Sequence, residues 1–136
     1  MITAVDSNVL VDLLSDEARF VEASAAALQR CQGEGRAVVG DVVLAEIATG
    51  LADPTEAEAI LRVLGVEFLS GHAVAAYAAA AAWREARTAT GRQRLLPDFL
   101  IGGHALTRAD RLLTRDTAFY RRWFPDLALL EPTAPA

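Results

Sequence analysis

The stretch that decides the fold is Ile2-Thr-Ala-Val-Asp6-Ser-Asn-Val-Leu10, at the start of the chain. The β-type run from Ile2 to Val5 predicts a buried strand. Helix-forming residues follow at once, and Ser7 or Asn8 is a suitable cap for that helix. A strand that passes directly into a helix is the first unit of an α/β fold. In such folds ligands bind beyond the carboxyl ends of the strands, which is where Asp6 lies.

The alternation of strand and helix continues along the chain. Further strands are predicted over Ala37–Val39, Val66–Leu69, Leu112–Thr114 and Leu127–Leu130. Helices are predicted near 17–32, from Asp41 to about Gly50, from Asp53 onward, over His72–Arg87, from Pro97 to about Leu106 and over Thr117–Trp123, with a polar, basic loop over Thr88–Arg94. Strands joined by helices need right-handed crossovers, which give a parallel sheet covered on both faces. The pattern therefore predicts a three-layer α/β/α fold.

Length and composition suit one compact domain. The chain has 136 residues, of which 53% are hydrophobic, so we expect a single domain over residues 1–131 and a short loose tail over 132–136. The one cysteine, Cys31, excludes an internal disulfide, and no spacing suggests a zinc site. The N-terminus lacks the basic segment of a signal peptide, and the longest apolar run, 73–83, is too short to span a bilayer. These features predict a cytoplasmic protein.

Charge is unevenly distributed along the chain. The formal net charge of −5 argues at first against a nucleic-acid partner. Residues 1–83 hold 4 Arg and 12 acids, whereas residues 84–122 hold 9 Arg and 4 acids. All 13 basic residues are arginine, whose guanidinium binds phosphate through paired hydrogen bonds and stacks on bases. A GC-rich genome explains the missing lysine, but it does not explain why the arginines cluster.

Four acids stand in apolar surroundings, whereas most others have polar neighbours. They are Asp6, Glu46, Asp98 and Asp116. Asp6 and Asp116 directly follow predicted strands, and if those strands are adjacent, both carboxylates face one crevice. Asp98 follows Pro97 at a predicted helix start. An Asp at such a place also serves as a helix cap, but four acids of this kind together favour a functional site.

Glu46 is selected by the apolar character of its helix. The residues from Val42 onward are apolar nearly all round, which predicts a buried helix. A buried carboxylate costs roughly several kcal/mol unless a cation or a buried arginine compensates. A cation shared among carboxylates, with no His or Cys ligand, indicates Mg²⁺ or Mn²⁺. Two other acids receive structural interpretations: Asp41 as a helix cap, and Asp12 as a surface or rim residue.

Four motifs follow one another in a distinctive order. They are Val5-Asp6-Ser7-Asn8-Val9-Leu10, the Glu46 helix, Leu96-Pro97-Asp98-Phe99-Leu100-Ile101-Gly102, and Leu113-Thr114-Arg115-Asp116 followed by Phe119-Tyr120. In this order they resemble a PIN-domain ribonuclease, and specifically the VapC-type toxins of type II toxin–antitoxin pairs. The resemblance covers nearly the whole chain. Ser7 stands where the family often has Thr, and it keeps the hydroxyl.

The resemblance implies a fold, an activity and partners. The fold would have a parallel sheet of about five strands in the order 3-2-1-4-5, and the activity would be Mg²⁺- or Mn²⁺-dependent cleavage of RNA phosphodiester bonds. Asp6, Asp98 and Asp116 would hold the metal, and Glu46 would complete the acidic pocket. Three polar residues would support these acids: Ser7, Asn8 and Thr114. The resemblance also implies a homodimer and a small antitoxin partner.

The chemistry expected of this site is metal-assisted hydrolysis. A divalent ion makes a water molecule easier to deprotonate and neutralises charge that develops on the phosphate. Glu46 or Asp98 is the candidate proton acceptor. Five arginines are candidate contacts to RNA phosphates: Arg92, Arg94, Arg115, Arg121 and Arg122.

Other protein classes also begin with an acid after the first strand. A haloacid-dehalogenase-type phosphatase needs a second Asp two residues later, where this chain has Asn8, and it needs a lysine, which this chain lacks. A response-regulator receiver domain also needs a lysine. Both classes are therefore excluded. The alternative to an enzyme is a non-catalytic PIN-like module that acts through protein or RNA partners.

Overall fold

The computed structural model describes residues 1–15, 18–90 and 96–133. Its strands are β1 (Ile2–Val5), β2 (Arg36–Val39), β3 (Val66–Phe68), β4 (Arg111–Leu113) and β5 (Leu129–Leu130). They form one sheet in the order β3-β2-β1-β4-β5, and every pair of neighbours is parallel. The predicted α/β/α fold and the predicted strand order are both confirmed.

Helices connect the strands. They are α1 (Ser7–Leu14), α2 (Ala18–Glu34), α3 (Asp41–Thr49), α4 (Ala57–Val63), α5 (His72–Thr90), α6 (Leu96–Arg108) and α7 (Thr117–Trp123), with a short 3₁₀ turn at Pro54–Glu56 before α4. Apart from Ile2 and Arg36 at the starts of β1 and β2, the residues of β1, β2 and β4 are buried, because helices cover both faces of the sheet. In the described part of the chain, no helix is long and apolar enough to cross a membrane.

Several element ends differ from the predictions. The N-cap position of α1 is Asp6, not Ser7 or Asn8, and its side chain makes no capping bond because it is engaged elsewhere. The N-cap of α3 is Gly40, and Asp41 instead accepts hydrogen bonds from Ser70 and Gly71 at 3.3 Å.

The loop predicted over Thr88–Arg94 is wrong for its first three residues. Residues 88–90 are helical, and the hydroxyls of Thr88 and Thr90 bond back to carbonyls within α5. Residues 91–94 lie outside the described residues. At the C-terminus, Pro132 is buried although it falls in the predicted tail, and residues 134–136 also lie outside the described residues.

Two glycines in α6 permit a close approach of helices. A Cβ at Gly103 would lie 2.4 Å from the Ala75 carbonyl oxygen and 2.8 Å from the Ala79 nitrogen, both in the backbone of α5. A Cβ at Gly102 would lie 2.3 Å from the ring of Phe124. Glycine therefore allows α6, which carries Asp98 in its first turn, to pack directly on α5.

Candidate active site

Asp6 stands where β1 ends and beside the end of β4. Its backbone N–H donates to the Leu113 carbonyl at 2.9 Å, which continues the pairing of the two strands by one residue. The adjacency expected of these strands is thus present. The Asp6 residue is only 5% exposed, so its carboxylate depends on protein groups for hydrogen bonds.

The Asp6 carboxylate is held by neutral donors. Its Oδ2 accepts from the Thr114 hydroxyl at 2.8 Å, the Tyr120 hydroxyl at 3.1 Å and the Asn8 amide at 3.4 Å. The Ser7 hydroxyl lies 3.4 Å from Oδ1. Among the described residues Asp6 forms no salt bridge. Burial raises the pKa of Asp6, and the donated hydrogen bonds only partly oppose that rise.

Tyr120 is a site residue that the sequence did not reveal. It entered the sequence analysis only as part of the Phe119-Tyr120 motif, with no role assigned, and its ring is buried between Phe119 and Phe124. Its hydroxyl, however, reaches Asp6 across 114 positions of sequence. Burial raises the Tyr120 pKa, and the charges of Asp6, Asp98 and Asp116 raise it further, so this hydroxyl stays a neutral donor.

Glu46 is near Asp6, but the reasoning that selected it was wrong about burial. Only Val43 and Ile47 of α3 are buried, and Glu46 is exposed, because this short helix covers the sheet with a single face. Its Oε2 lies 3.4 Å from the Ser7 hydroxyl, which therefore stands between two carboxylates. Partial burial of the carboxylate and then the charge of Asp6 raise the Glu46 pKa; Ser7 opposes this, and Asp98 adds to it.

Asp98 and Asp116 lie at the same end of the sheet as Asp6. Asp98 is half-buried in the first turn of α6, and its charge raises the pKa of both Glu46 and Tyr120. Asp116 is exposed at the N-cap of α7, and its backbone N–H donates to the Thr114 hydroxyl at 3.0 Å. The structure thus brings the four predicted acids into electrostatic contact around Tyr120 and Ser7.

Thr114 is the centre of the hydrogen bonds that support this cluster. Its buried hydroxyl donates to Asp6 and accepts from the Asp116 N–H and from the Asn8 amide at 3.4 Å. The Oδ1 atom of the Asn8 side chain accepts a hydrogen bond from the Arg115 backbone N–H at 3.2 Å. Asn8 and Thr114 therefore link the end of β1 to the end of β4, whereas the third predicted supporting residue, Ser7, contacts Asp6 and Glu46.

The predicted arginines have different environments. Arg92 and Arg94 lie outside the described residues. Arg121 and Arg122 are exposed on α7, and the Arg122 guanidinium lies 4.5 Å from the centre of the Trp123 ring. Arg115 does not face solvent freely, because its guanidinium donates two hydrogen bonds of 2.8 Å to Asp12.

The sequence interpretation of Asp12 as a surface or rim residue was also wrong. Asp12 is 3% exposed, because Arg115 and the Ser24 hydroxyl satisfy its carboxylate. Its apolar neighbours Val11 and Leu13 were the available signal. The criterion that selected Asp6 would also have selected Asp12.

The donor chemistry of the acidic cluster fits a hard divalent cation. The candidate ligands are all carboxylate oxygens, and the pKa of Glu46 is raised first by burial and then by the nearby charges of Asp6 and Asp98. Within the described ranges, no three carboxylate, His or Cys side chains converge closely enough to hold one ion. Magnesium commonly uses one or two carboxylates and keeps several waters, so a looser arrangement is compatible with it.

Comparison with known proteins places the chain in a family. Residues 3–124 match the sequence profile of the PIN domain, and the chain belongs to that family. Similar solved structures include VapBC2 from Rickettsia felis bound to a DNA fragment from its promoter, with a TM-score of 0.74 and 19% identity over 96% of this chain and 98% of that one. They also include VapBC-1 from nontypeable Haemophilus influenzae, with a TM-score of 0.71 and 20% identity over 96% and 98%.

A toxin–antitoxin complex from Klebsiella pneumoniae is also similar, with a TM-score of 0.70 and 20% identity over 98% of this chain and 99% of that one. At these identities the likeness establishes the fold. No curated protein is similar enough to be matched. The predicted membership of the PIN-domain family is therefore confirmed.

Proposed function

We propose that the chain is a metal-dependent endoribonuclease that acts as the toxin of a toxin–antitoxin pair. The observation that carries this proposal is the buried Asp6 carboxylate, which is held by four neutral donors and, among the described residues, is surrounded by further acids and not by a cation. Such an arrangement destabilises the fold unless a positive charge arrives. Membership of the PIN-domain family supports a nuclease, and the VapBC neighbours support the toxin role.

The residues divide into distinct roles in this proposal. Asp6, Asp98 and Asp116 would hold Mg²⁺, or Mn²⁺ in its place, either directly or through water molecules bound to the ion. When bound, the ion would offset charge on the phosphate and lower the pKa of an attacking water. Glu46 would accept the proton from that water, because its carboxylate lies next to Asp6, to which the Ser7 hydroxyl connects it. Thr114, Asn8 and Tyr120 orient Asp6.

The region beyond the acids would contact the RNA backbone. Arg121 and Arg122 are exposed on the helix that follows Asp116, so they are suitable phosphate contacts. An acidic cluster without a cation repels RNA, so we expect metal and RNA to bind cooperatively.

Cleavage is tested with purified chain and structured RNAs, in Mg²⁺, in Mn²⁺ and in EDTA. Asp98→Asn is the test variant, and Asp110→Asn is the matched control, because Asp110 lies at the opposite end of the sheet. We expect cleavage by the wild type and by Asp110→Asn in either ion, and none in EDTA or by Asp98→Asn. Cleavage that is unaffected by EDTA or by Asp98→Asn would contradict the proposal. If no form cleaves RNA, the non-catalytic binding module is favoured.

The toxin role and the assembly have their own tests. Expression of the chain should arrest growth, and coexpression of a small neighbouring open reading frame should relieve the arrest. We also propose a homodimer, which light scattering of the purified chain would detect. The Ala-rich α5 is suited to an interface, since it buries Ala75 and Ala79 but exposes Val74 and Tyr77.

A further inference from the structure

Arg115 is held by α1 at both its backbone and its side chain. Its backbone N–H donates to the side-chain Oδ1 of Asn8 at 3.2 Å. Its guanidinium donates from Nε and from one terminal nitrogen to the two oxygens of Asp12, each at 2.8 Å. Asn8 and Asp12 are four residues apart, so they lie on the same face of the helix. One helix face therefore fixes residue 115 at two points.

The pair of Asp12 and Arg115 is itself constrained from a second side. The Ser24 hydroxyl of α2 donates to Asp12 at 2.7 Å, and the Arg115 guanidinium lies 4.1 Å from the centre of the Phe20 ring. The Asp12 side chain is 4% exposed and that of Arg115 is 30% exposed. A bidentate pair with one buried member has little freedom to change its geometry.

The residues on either side of Arg115, Thr114 and Asp116, are part of the candidate site. Thr114 donates to Asp6, and the Asp116 N–H donates back to Thr114. A shift of residue 115 would move both of them. We propose that Asp12 and Arg115 form a positioning pair, which holds Asp116 and the Thr114 hydroxyl in place relative to Asp6. Neither residue touches the reacting atoms, and the inference rests on the proposed nuclease function.

A second salt bridge, at the other end of β4, provides a matched control. Arg111, at the start of β4, donates to Glu34 of α2 at 2.6 Å, and the Arg111 side chain is 10% exposed. This pair also joins β4 to a helix, but it does so at the opposite end of the strand from Asp6. Loss of a pair that only stabilises the fold should have the same consequences at either end.

The experiment uses the full chain and a structured RNA that the wild type cleaves. The variants are Asp12→Asn, Arg115→Lys, their combination, and Glu34→Gln. Arg115→Lys keeps the charge but loses the bidentate geometry. For each variant, kcat and KM are measured together with Mn²⁺ affinity by calorimetry in the absence of RNA and urea stability.

We expect Asp12→Asn and Arg115→Lys each to lower kcat about 10- to 100-fold and to weaken Mn²⁺ binding. KM should stay within about threefold, because Arg121 and Arg122, the proposed contacts to RNA, are unchanged. The combined variant should lose no more than the worse single variant, because one interaction is removed in each case. Glu34→Gln should lower urea stability and leave kcat and Mn²⁺ affinity unchanged.

The inference is overturned if both single variants keep wild-type kcat and Mn²⁺ affinity, or if Glu34→Gln loses as much kcat as Asp12→Asn does. Should Asp12→Asn fail to fold, Arg115→Lys decides the matter, because that side chain is partly exposed and its charge is kept. An inactive wild-type chain contradicts the proposed function and this inference together. An active wild type with unaffected variants contradicts only the positioning pair.

Discussion

The buried charged side chains at the two ends of the paired strands β1 and β4 have opposite kinds of neighbour. At the amino ends, the buried Arg111 guanidinium meets Glu34 at 2.6 Å and the Thr3 hydroxyl at 2.8 Å. At the carboxyl ends, the buried Asp6 meets the hydroxyls of Thr114 and Tyr120, and further carboxylates lie nearby. The first end is neutralised within the described residues. At the second end several carboxylates lie close together, which indicates that this end binds a positively charged group.

This difference separates groups that stabilise the fold from groups that serve a reaction. A buried charge with an opposite partner is compensated when the chain folds. A buried charge among like charges lowers stability, and proteins retain such groups mainly where function requires them. Paired substitutions at the two ends should therefore have different consequences for activity and for stability.

The largest contrast is expected between Asp6→Asn and Asp110→Asn. Asp110 accepts from the Ile2 backbone N–H at 2.6 Å at the amino end of β1. A divalent ion supplies several kcal/mol of transition-state stabilisation, so we expect Asp6→Asn to lower the rate of RNA cleavage about 100- to 1,000-fold. Asp110→Asn should cleave at the wild-type rate in the same single-turnover assay. Equal rates for the two variants would remove the distinction between the ends.

A smaller contrast is expected between Thr114→Val and Thr3→Val. Both threonines are fully buried, and each hydroxyl serves a charged side chain. Thr114→Val removes a donor from Asp6 and the acceptor for the Asp116 N–H, so kcat should fall about 10- to 100-fold.

Thr3→Val is the control at the other end. It removes one hydrogen bond to Arg111, so the free energy of unfolding should fall by about 1–3 kcal/mol while kcat is unchanged. Urea titration and steady-state kinetics on both variants provide the two readouts. A loss of kcat in Thr3→Val that matches the loss in Thr114→Val would show that the hydroxyl at the acidic end has no special role.

The burial of the acids at the carboxyl end could be predicted from the sequence only in part. The apolar neighbours of Asp6 agree with its observed burial, because a strand in a covered sheet leaves no route to water. The same argument failed for Glu46, since a short apolar helix on one face of a sheet still exposes its outer side. Burial on a helix depends on what packs against it, which local sequence does not contain.

Long-range contacts were the other source of error. Asp12 is buried because Arg115 reaches it across 103 positions of sequence, and Tyr120 joins the site across 114. The order of the strands came from the family resemblance, and that order is what places these pairs together. Residue types and local pattern predicted which acids to examine, whereas only the fold assigns their partners.

Binding of Mg²⁺ should raise stability through the acidic end alone. An ion that binds only the folded chain adds about 1.4 kcal/mol to the free energy of unfolding at ten times its Kd. We expect that gain in the wild type and in Asp110→Asn, and its absence in Asp6→Asn. Urea titrations with and without Mg²⁺ measure it. An equal gain in Asp6→Asn would place the ion elsewhere.

The smallest effect is expected in the pH dependence of stability without metal. Burial raises the pKa of Asp6 above its ordinary value of 3.8, so between the two values the folded chain keeps a proton that the unfolded chain has released. The free energy of unfolding of the wild type therefore falls as pH rises through this window, and the loss is complete above the raised pKa.

Asp6→Asn lacks this titration, so its stability relative to the wild type should increase as the pH rises from about 4 through the raised pKa of Asp6 and become constant above it. Glu46 also has a raised pKa and remains in the variant, so a residual slope of the same sign should persist there. Urea midpoints measured in EDTA across this range, with Asp110→Asn alongside as the control for carboxylate removal, provide the readout. A stability difference between wild type and Asp6→Asn that does not change with pH would mean that the acidic end carries no electrostatic strain when empty.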